Sequence, residues 1–204
     1  MKRIGISLRS SHATHYHEHR DALARDWYAL FAQFKSDFTW IMLPNIGHDI
    51  EAYIKQWQLD GIILSGGDDI GAEPIRDTTE EHLINYCIDN QLPLLGICRG
   101  AQLIALHYGC KLTHIDTKDH VNSRHQFATT TLPWAASQLL NVNSYHSCAV
   151  QLPLPPPLNT FATVEQVAEG FIHRTAPIVG IMWHPERENN ISDFDQQLFQ
   201  WLFK

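Results

Sequence analysis

The stretch LPLLGICRGAQLIALHYG, residues 92–109, decides the fold. Leu94 to Ile97 carries no polar side chain, as expected of a strand buried on both faces. AQLIALHY, residues 101–108, then reads as a helix. A strand that runs straight into a helix is half of a βαβ unit. Gly96 and Gly100 flank Cys98, and glycines on both sides permit the tight strand-to-helix turn that lifts a nucleophile clear of a sheet. At a helix N-terminus the helix dipole favours the thiolate, the reactive form of cysteine. A packing cysteine between two glycines fits the same five residues, and only the strand before and the helix after tilt the reading toward chemistry.

Outward from this stretch the alternation continues. KRIGISL (2–8), FTWIMLP (38–44) and DGIILSGG (60–67) read as strands, and HEHRDALARDWYALFAQF (17–34), IEAYIKQW (50–57) and TTEEHLINYCIDN (78–90) as helices. This implies an α/β fold with a central, mostly parallel sheet flanked by helices. After Gly109 the runs KLTHID, VNSRHQFATTT, NVNSYHSCAV, NTFATVEQVAEGFIHR and PIVGIMWHPE predict shorter strands, an additional small antiparallel region. LPLPPPL (152–158) reads as an extended surface connection, because proline cannot donate to a ladder. A C-terminal helix is predicted from Ile191, Phe194, Leu198, Trp201 and Leu202, with Ser192 and Asp195 in a capping pattern.

One core can serve all 204 residues, so a single domain spanning 1–204 is expected. Hydrophobic residues at 44% and charged residues at 18% leave no segment polar enough for disorder. The net charge of −7 counts 13 histidines as neutral, and it points toward neither nucleic acid nor an anionic membrane. No secretory leader or membrane-spanning run is evident, so a cytoplasmic protein is expected. Cys87, Cys98, Cys110 and Cys148 form no Cys-x-x-Cys pair and are expected as free thiols, Cys87 and Cys110 in the core.

Two further motifs bear on Cys98. In WHPE (183–186) an extended backbone points His184 and Glu186 to one side, and a carboxylate beside an imidazole fixes its tautomer and stabilises the imidazolium. Alone, a His-x-Glu is commonplace in solvated loops. In SGGDD (65–69) the backbone at Gly66 and Gly67 can approach a ligand, so the N–H of Gly67 and that of Arg99 suit an oxyanion hole. A plain turn with a helix N-cap at Asp69 fits there too.

SGGDDI, GICRGAQ and GIMWHPE, in this order, resemble class I glutamine amidotransferase-like proteins, and the likeness extends over nearly the whole chain through VNSYHSCAV. It implies a flavodoxin-like sheet and a cysteine that forms a γ-glutamyl thioester, with Cys98, His184 and Glu186 at the catalytic positions. It further implies that Gly66, Gln102 and the backbone of Asn143, Ser144 and Tyr145 hold the glutamyl head. Within the class, SGGDDI and VNSYH are similar to the γ-glutamyl hydrolase, peptidase C26-like branch. The opening ISLRSSHATHYHEHRDALARDWYALF resembles its short members that release cytidine diphosphoramidate from γ-glutamyl-CDP-amidate for capsular polysaccharide phosphoramidate synthesis.

Loops after parallel strands gather at their carboxyl edge, so Arg9, His12, His15, His17, His19 and Arg20 can line the leaving-group side, where such donors suit a diphosphate. A histidine-rich surface loop is the competing reading. No cofactor and no metal are expected; His107, His114, His120, His125 and His173 read as structural or surface residues, and Arg124 and His125 lie near a strand that could border the site. The expected ligand is a small γ-glutamyl molecule, without nucleic acid, membrane or an obligate synthetase partner, and a homodimer stays open. The rivals are a γ-glutamyl-γ-aminobutyrate hydrolase-like enzyme, a glutaminase that feeds ammonia to a synthetase, a binding protein that has lost catalysis, and a thiol protease.

Overall fold

A computed structural model describes residues 1–204 apart from the side chain of Asp119. In chain order the elements are β1 (Lys2–Ser7), β2 (Arg9–His12), β3 (His19–Ala22), α1 (Asp26–Gln33), β4 (Phe38–Leu43), α2 (Ile50–Trp57), β5 (Gly61–Leu64), α3 (Pro74–Asn90), β6 (Leu94–Ile97) and α4 (Arg99–His107). They continue as β7 (Leu112–His114), α5 (Thr117–His120), β8 (Val121–Ala128), β9 (Leu139–Tyr145), β10 (Cys148–Gln151), β11 (Leu158–Val164), β12 (Val167–His173), β13 (Ile178–Ile181) and α6 (Asp193–Phe203).

The main sheet runs β4-β1-β5-β6-β13-β12-β10-β7, with β11 also on β12. From β4 to β13 every pairing is parallel, and from β13 outward every pairing is antiparallel. β2–β3 and β8–β9 form separate two-stranded ribbons. The architecture is the expected α/β fold, a mostly parallel sheet flanked by helices with a small antiparallel region.

Alternation along the strands feeds two cores. Ile63, Leu95, Ile97, Val179 and Ile181 pack toward α1 and α6 with Trp27, Leu30, Phe34, Phe194 and Phe199. Ile62, Leu64, Leu94 and Ile178 face the other way, toward Ile54 of α2, Leu83, Ile84 and Cys87 of α3, and Ala101 and Ile104 of α4. Each fully buried Val, Leu, Ile or Phe among them contributes about 1.5–3 kcal/mol of hydrophobic stabilisation. α6 starts as its sequence predicts, with the Ser192 hydroxyl accepting the Asp195 N–H at 3.1 Å.

Three expectations fail. The WHPE segment is not extended throughout: Pro185–Arg187 forms a 3₁₀ turn directly after His184, which starts at a proline whose fixed φ suits it. His19–Ala22 does not open a helix; it pairs in register with Arg9–His12, and the helix begins only at Asp26. The ribbon is tied down where Asn45 donates from its backbone and side-chain N–H groups to the Asp21 carboxylate at 2.9 and 2.7 Å. Asp69 is no N-cap either: α3 starts at Pro74, whose fixed φ and missing N–H suit a first helical turn. Among the described residues no helix is long and apolar enough to cross a membrane.

Candidate active site

Cys98 occupies the one-residue corner between β6 and α4 with φ +52° and ψ −106°, a strained conformation for a side-chain-bearing residue. Its N–H donates to the Ile181 carbonyl at 2.8 Å, which locks the corner to β13. The flanking glycines are sterically required. A Cβ on Gly100 would stand 2.2 Å from the Leu64 carbonyl oxygen, and one on Gly96 would stand 2.7 Å from the backbone of Gly100 and Ala101.

β13, next to β6 in parallel register, delivers the second group. Beyond its end, His184 and Glu186 are both buried, and Glu186 Oε1 lies 2.6 Å from His184 Nδ1. Burial disfavours charge on the imidazole. The Cys98 thiolate, by charge and hydrogen bond, and then Glu186 outweigh that, raising the His184 pKa to about 9. Cys98, His184 and Glu186 are thus brought together, and His184 interacts directly with each of the other two. By contrast, burial pushes the thiols of Cys87, Cys110 and Cys148 up, away from reactivity.

β5 ends at the same sheet edge. Gly66 packs so tightly against the pair that a Cβ there would lie 2.8 Å from His184 Cε1 and 3.7 Å from Cys98 Cβ. Gly67 has φ +133°, which favours glycine, and an added Cβ would meet the Arg76 guanidinium at 2.8 Å. Arg99 opens α4 with its backbone, while its side chain turns away into the core and pairs with Glu80 and Asp77.

The remaining anticipated residues divide. Asn143 is buried and bonded to the His184 backbone in both directions, at 2.9 and 2.8 Å. The Tyr145 ring lies 5.8 Å from the His184 ring, with Arg187 stacked over it at 4.4 Å. Gln102 donates to the Cys148 carbonyl at 2.7 Å, and Ser144 Oγ donates to the His120 carbonyl at 2.6 Å, so both side chains brace backbone. Arg9 lines the cleft at His184 and Glu186 together with Leu23, Trp27, Gly67 and Arg187, and Cys98 is not among the lining residues. It bonds Asp68 at 2.7 Å. Burial works against the Asp68 charge, yet Arg9 and Arg76 hold that carboxyl below its ordinary range. His12 is drawn instead to Glu73 at 2.5 Å and is absent from the lining of this cleft. Arg124 pairs with Glu188 at 3.0 Å, and Glu188 also accepts from Asn143.

Beneath the glycine turn lies a network that no sequence motif announces. Buried Arg76 donates to the carbonyls of Ser65 and Gly66 at 2.9 and 3.1 Å and to Glu80 at 3.1 Å. Glu80 also accepts from Ser7 at 2.7 Å and from Arg99. The available signal was an Arg and a Glu four residues apart on one helix face. Larger concavities exist, such as one of about 580 Å³ beside Gly109–Lys111 and Gln151–Pro156, but none of its lining residues belongs to this cluster.

Residues 27–203 match the family model for class I glutamine amidotransferases. A γ-glutamyl-CDP-amidate hydrolase of Campylobacter jejuni is 32% identical over 98% of this chain and 96% of its own. The solved structure of a GMP synthase component from Thermoplasma acidophilum superposes with a TM-score of 0.70 at 25% identity, covering 100% of this chain and 92% of that one. A Thermotoga maritima glutamine amidotransferase shares the fold at a TM-score of 0.63 and 17% identity, over 91% and 76% of the two chains. With its elbow cysteine and its histidine strand side by side in the sheet, the chain belongs to the class I glutamine amidotransferase family.

Proposed function

We propose that this chain hydrolyses a γ-glutamyl amide bond through Cys98, His184 and Glu186. The observation that carries the reading is the buried His184, held at 2.6 Å by Glu186 on one side and charge-paired with Cys98 on the other. Family membership supports a hydrolase. In the first step the Cys98 thiolate attacks the γ-carbonyl carbon, and the N–H groups of Gly67 and Arg99 receive the developing oxyanion. Collapse breaks the C–N bond while His184 gives its proton to the leaving nitrogen. Water, deprotonated by His184, then adds to the thioester carbonyl, and collapse breaks the C–S bond, releasing glutamate and restoring the Cys98 thiolate beside protonated His184. Glu186 holds the imidazole orientation throughout and offsets its charge. No cofactor enters these steps.

For the substrate we propose γ-glutamyl-CDP-amidate, giving cytidine diphosphoramidate for capsular phosphoramidate synthesis. The end-to-end likeness to the Campylobacter jejuni enzyme supports this, as do Arg9 and Arg187 at the cleft, two cations suited to a diphosphate. The likeness to glutamine-hydrolysing GMP synthase components favours a second reading, a glutaminase that feeds ammonia to a partner. Glutamate release from γ-glutamyl-CDP-amidate, γ-glutamyl-γ-aminobutyrate and glutamine by the purified chain separates the two. High kcat/KM on the first substrate supports the proposal, and turnover of glutamine alone defeats it. Cys98→Ala must abolish release; undiminished turnover in that variant would remove the whole mechanism.

A further inference from the structure

Behind the cleft, where the β8–β9 ribbon meets the main sheet, four buried side chains converge. His120 ends α5, His125 lies on β8, His146 follows β9 and Glu169 lies on β12. Their exposures are 6%, 6%, 3% and 0%, and the donor atoms they offer all lie within 4.8 Å of one another. Glu169 Oε1 is 3.0 Å from His125 Nδ1 and 3.5 Å from His146 Nε2. The imidazole rings stand edge to face or tilted, with centroids 4.5–5.8 Å apart, so they surround a point and do not stack.

Hydrogen bonding within the protein leaves this cluster unfinished. Among the described residues His120 Nδ1, His146 Nδ1 and Glu169 Oε2 are buried without a hydrogen-bond partner, and His146 Nε2 has only the 3.5 Å approach of Glu169 Oε1. Buried polar atoms are nearly always satisfied, and a buried carboxylate requires compensating positive charge. A carboxylate facing three imidazoles is a donor set for a cation. We propose that these four residues bind a divalent transition-metal ion, zinc, in a closed structural site.

Zinc takes imidazole nitrogen and carboxylate oxygen at roughly 2.0–2.2 Å in tetrahedral geometry, which sets its donor atoms about 3.4 Å apart. The 3.0 and 3.5 Å separations around Glu169 Oε1 bracket that value. Four protein donors leave no open position for substrate, so the ion's part is architectural. It ties the β8–β9 ribbon to β12, while Asn143 and Tyr145, which contact His184, lie on β9 within three residues of His146. From the other side, the Glu169 carbonyl accepts the Met182 N–H at 2.8 Å, two residues before His184. The metal is therefore a positioning element for the histidine side of the cleft. This inference stands apart from the choice of substrate.

The test is elemental analysis of the full chain, produced in zinc-supplemented medium and purified without a metal-affinity step. The expected result is about one zinc per chain. Apo-protein titrated with cobalt(II) should develop the visible absorption of a tetrahedral site, and metal removal should lower the thermal midpoint by several degrees. Glu169→Gln and His146→Ala should lose the metal, while His12→Ala, which alters the exposed group of His12, His19 and Glu73, should retain it. Wild-type protein that holds no zinc and gives no cobalt spectrum would overturn the proposal without recourse to variants that fail to fold. So would metal lost in His12→Ala but kept in His146→Ala.

Discussion

Asn143 grips His184 by its peptide. Its Oδ1 accepts the His184 N–H at 2.9 Å while its Nδ2 donates to the His184 carbonyl at 2.8 Å. The pair fixes the backbone of an imidazole that lies just beyond the end of β13, and Glu188 completes the amide with a third bond at 2.9 Å. Truncation to alanine leaves the buried His184 N–H unpaired, while its carbonyl keeps the Arg187 N–H at 3.1 Å, a loss of about 1–3 kcal/mol. Asn143→Ala should therefore lower the urea midpoint and, on the proposed mechanism, reduce kcat for glutamate release by roughly 10²-fold, since small misplacements of a reacting group have effects of that size. An unchanged kcat in a destabilised variant would show that the clamp serves only folding.

Gly66→Ala should separate activity from stability the other way. No left-handed backbone is required at Gly66, but the new methyl would stand 2.8 Å from His184 Cε1. The ring must give way, and with it the contact to Cys98. The expected outcome is a loss of at least about 10²-fold in kcat with a denaturation midpoint close to wild type. A fully active variant would mean that the ring has room to spare.

These two residues mark the boundary of what the sequence makes legible. Gly96 to Gly100 could be read because strand, turn and helix are contiguous, and because each glycine answers a local steric demand. His184 and Glu186 could be read as neighbours because they lie two apart, although a 3₁₀ turn over Pro185–Arg187, and not the expected extended segment, brings them together. Asn143 to His184, Glu80 to Arg99 and the meeting of His120, His125 and His146 with Glu169 join separate elements, and no local period announces them. The β2–β3 ribbon was illegible for another reason. HEHRDALARDW has the polarity of a helix start, and only ladder pairing with Arg9–His12 and the Asn45–Asp21 tether make it extended.

Glu80 is the acceptor on which the glycine turn rests. Fully buried, it takes Ser7 Oγ at 2.7 Å, Arg76 Nε at 3.1 Å and the Arg99 guanidinium, and Arg76 in turn holds the Ser65 and Gly66 carbonyls. Removing one partner of a buried ion network strands the others, typically at about 3–5 kcal/mol. Glu80→Ala should show that loss in urea denaturation, and Glu80→Gln, which keeps the shape and drops the charge, a smaller one. Equal stability in all three proteins would mean that the arginines find other compensation.

In the proposed mechanism the charge state of His184 gives the activity a pH window. Its folded pKa of about 9 lies above the ordinary 6.5, because burial, which lowers it, is outweighed by Cys98 and Glu186. A raised histidine contributes stability that is complete below the unfolded value near 6.5 and is lost as pH climbs through about 9. The ring should therefore carry its proton at neutral pH, ready for the leaving nitrogen. On the alkaline side kcat/KM should fall, by about tenfold per unit well above pH 9. In Cys98→Ala the larger of the two raising partners is gone, so the His184 imidazole followed by NMR should titrate at a lower pH than in wild type. Glu186→Gln should move the alkaline limb of kcat/KM to lower pH for the same reason. A His184 midpoint that stays put in Cys98→Ala would mean that the thiolate does not hold the proton on this ring.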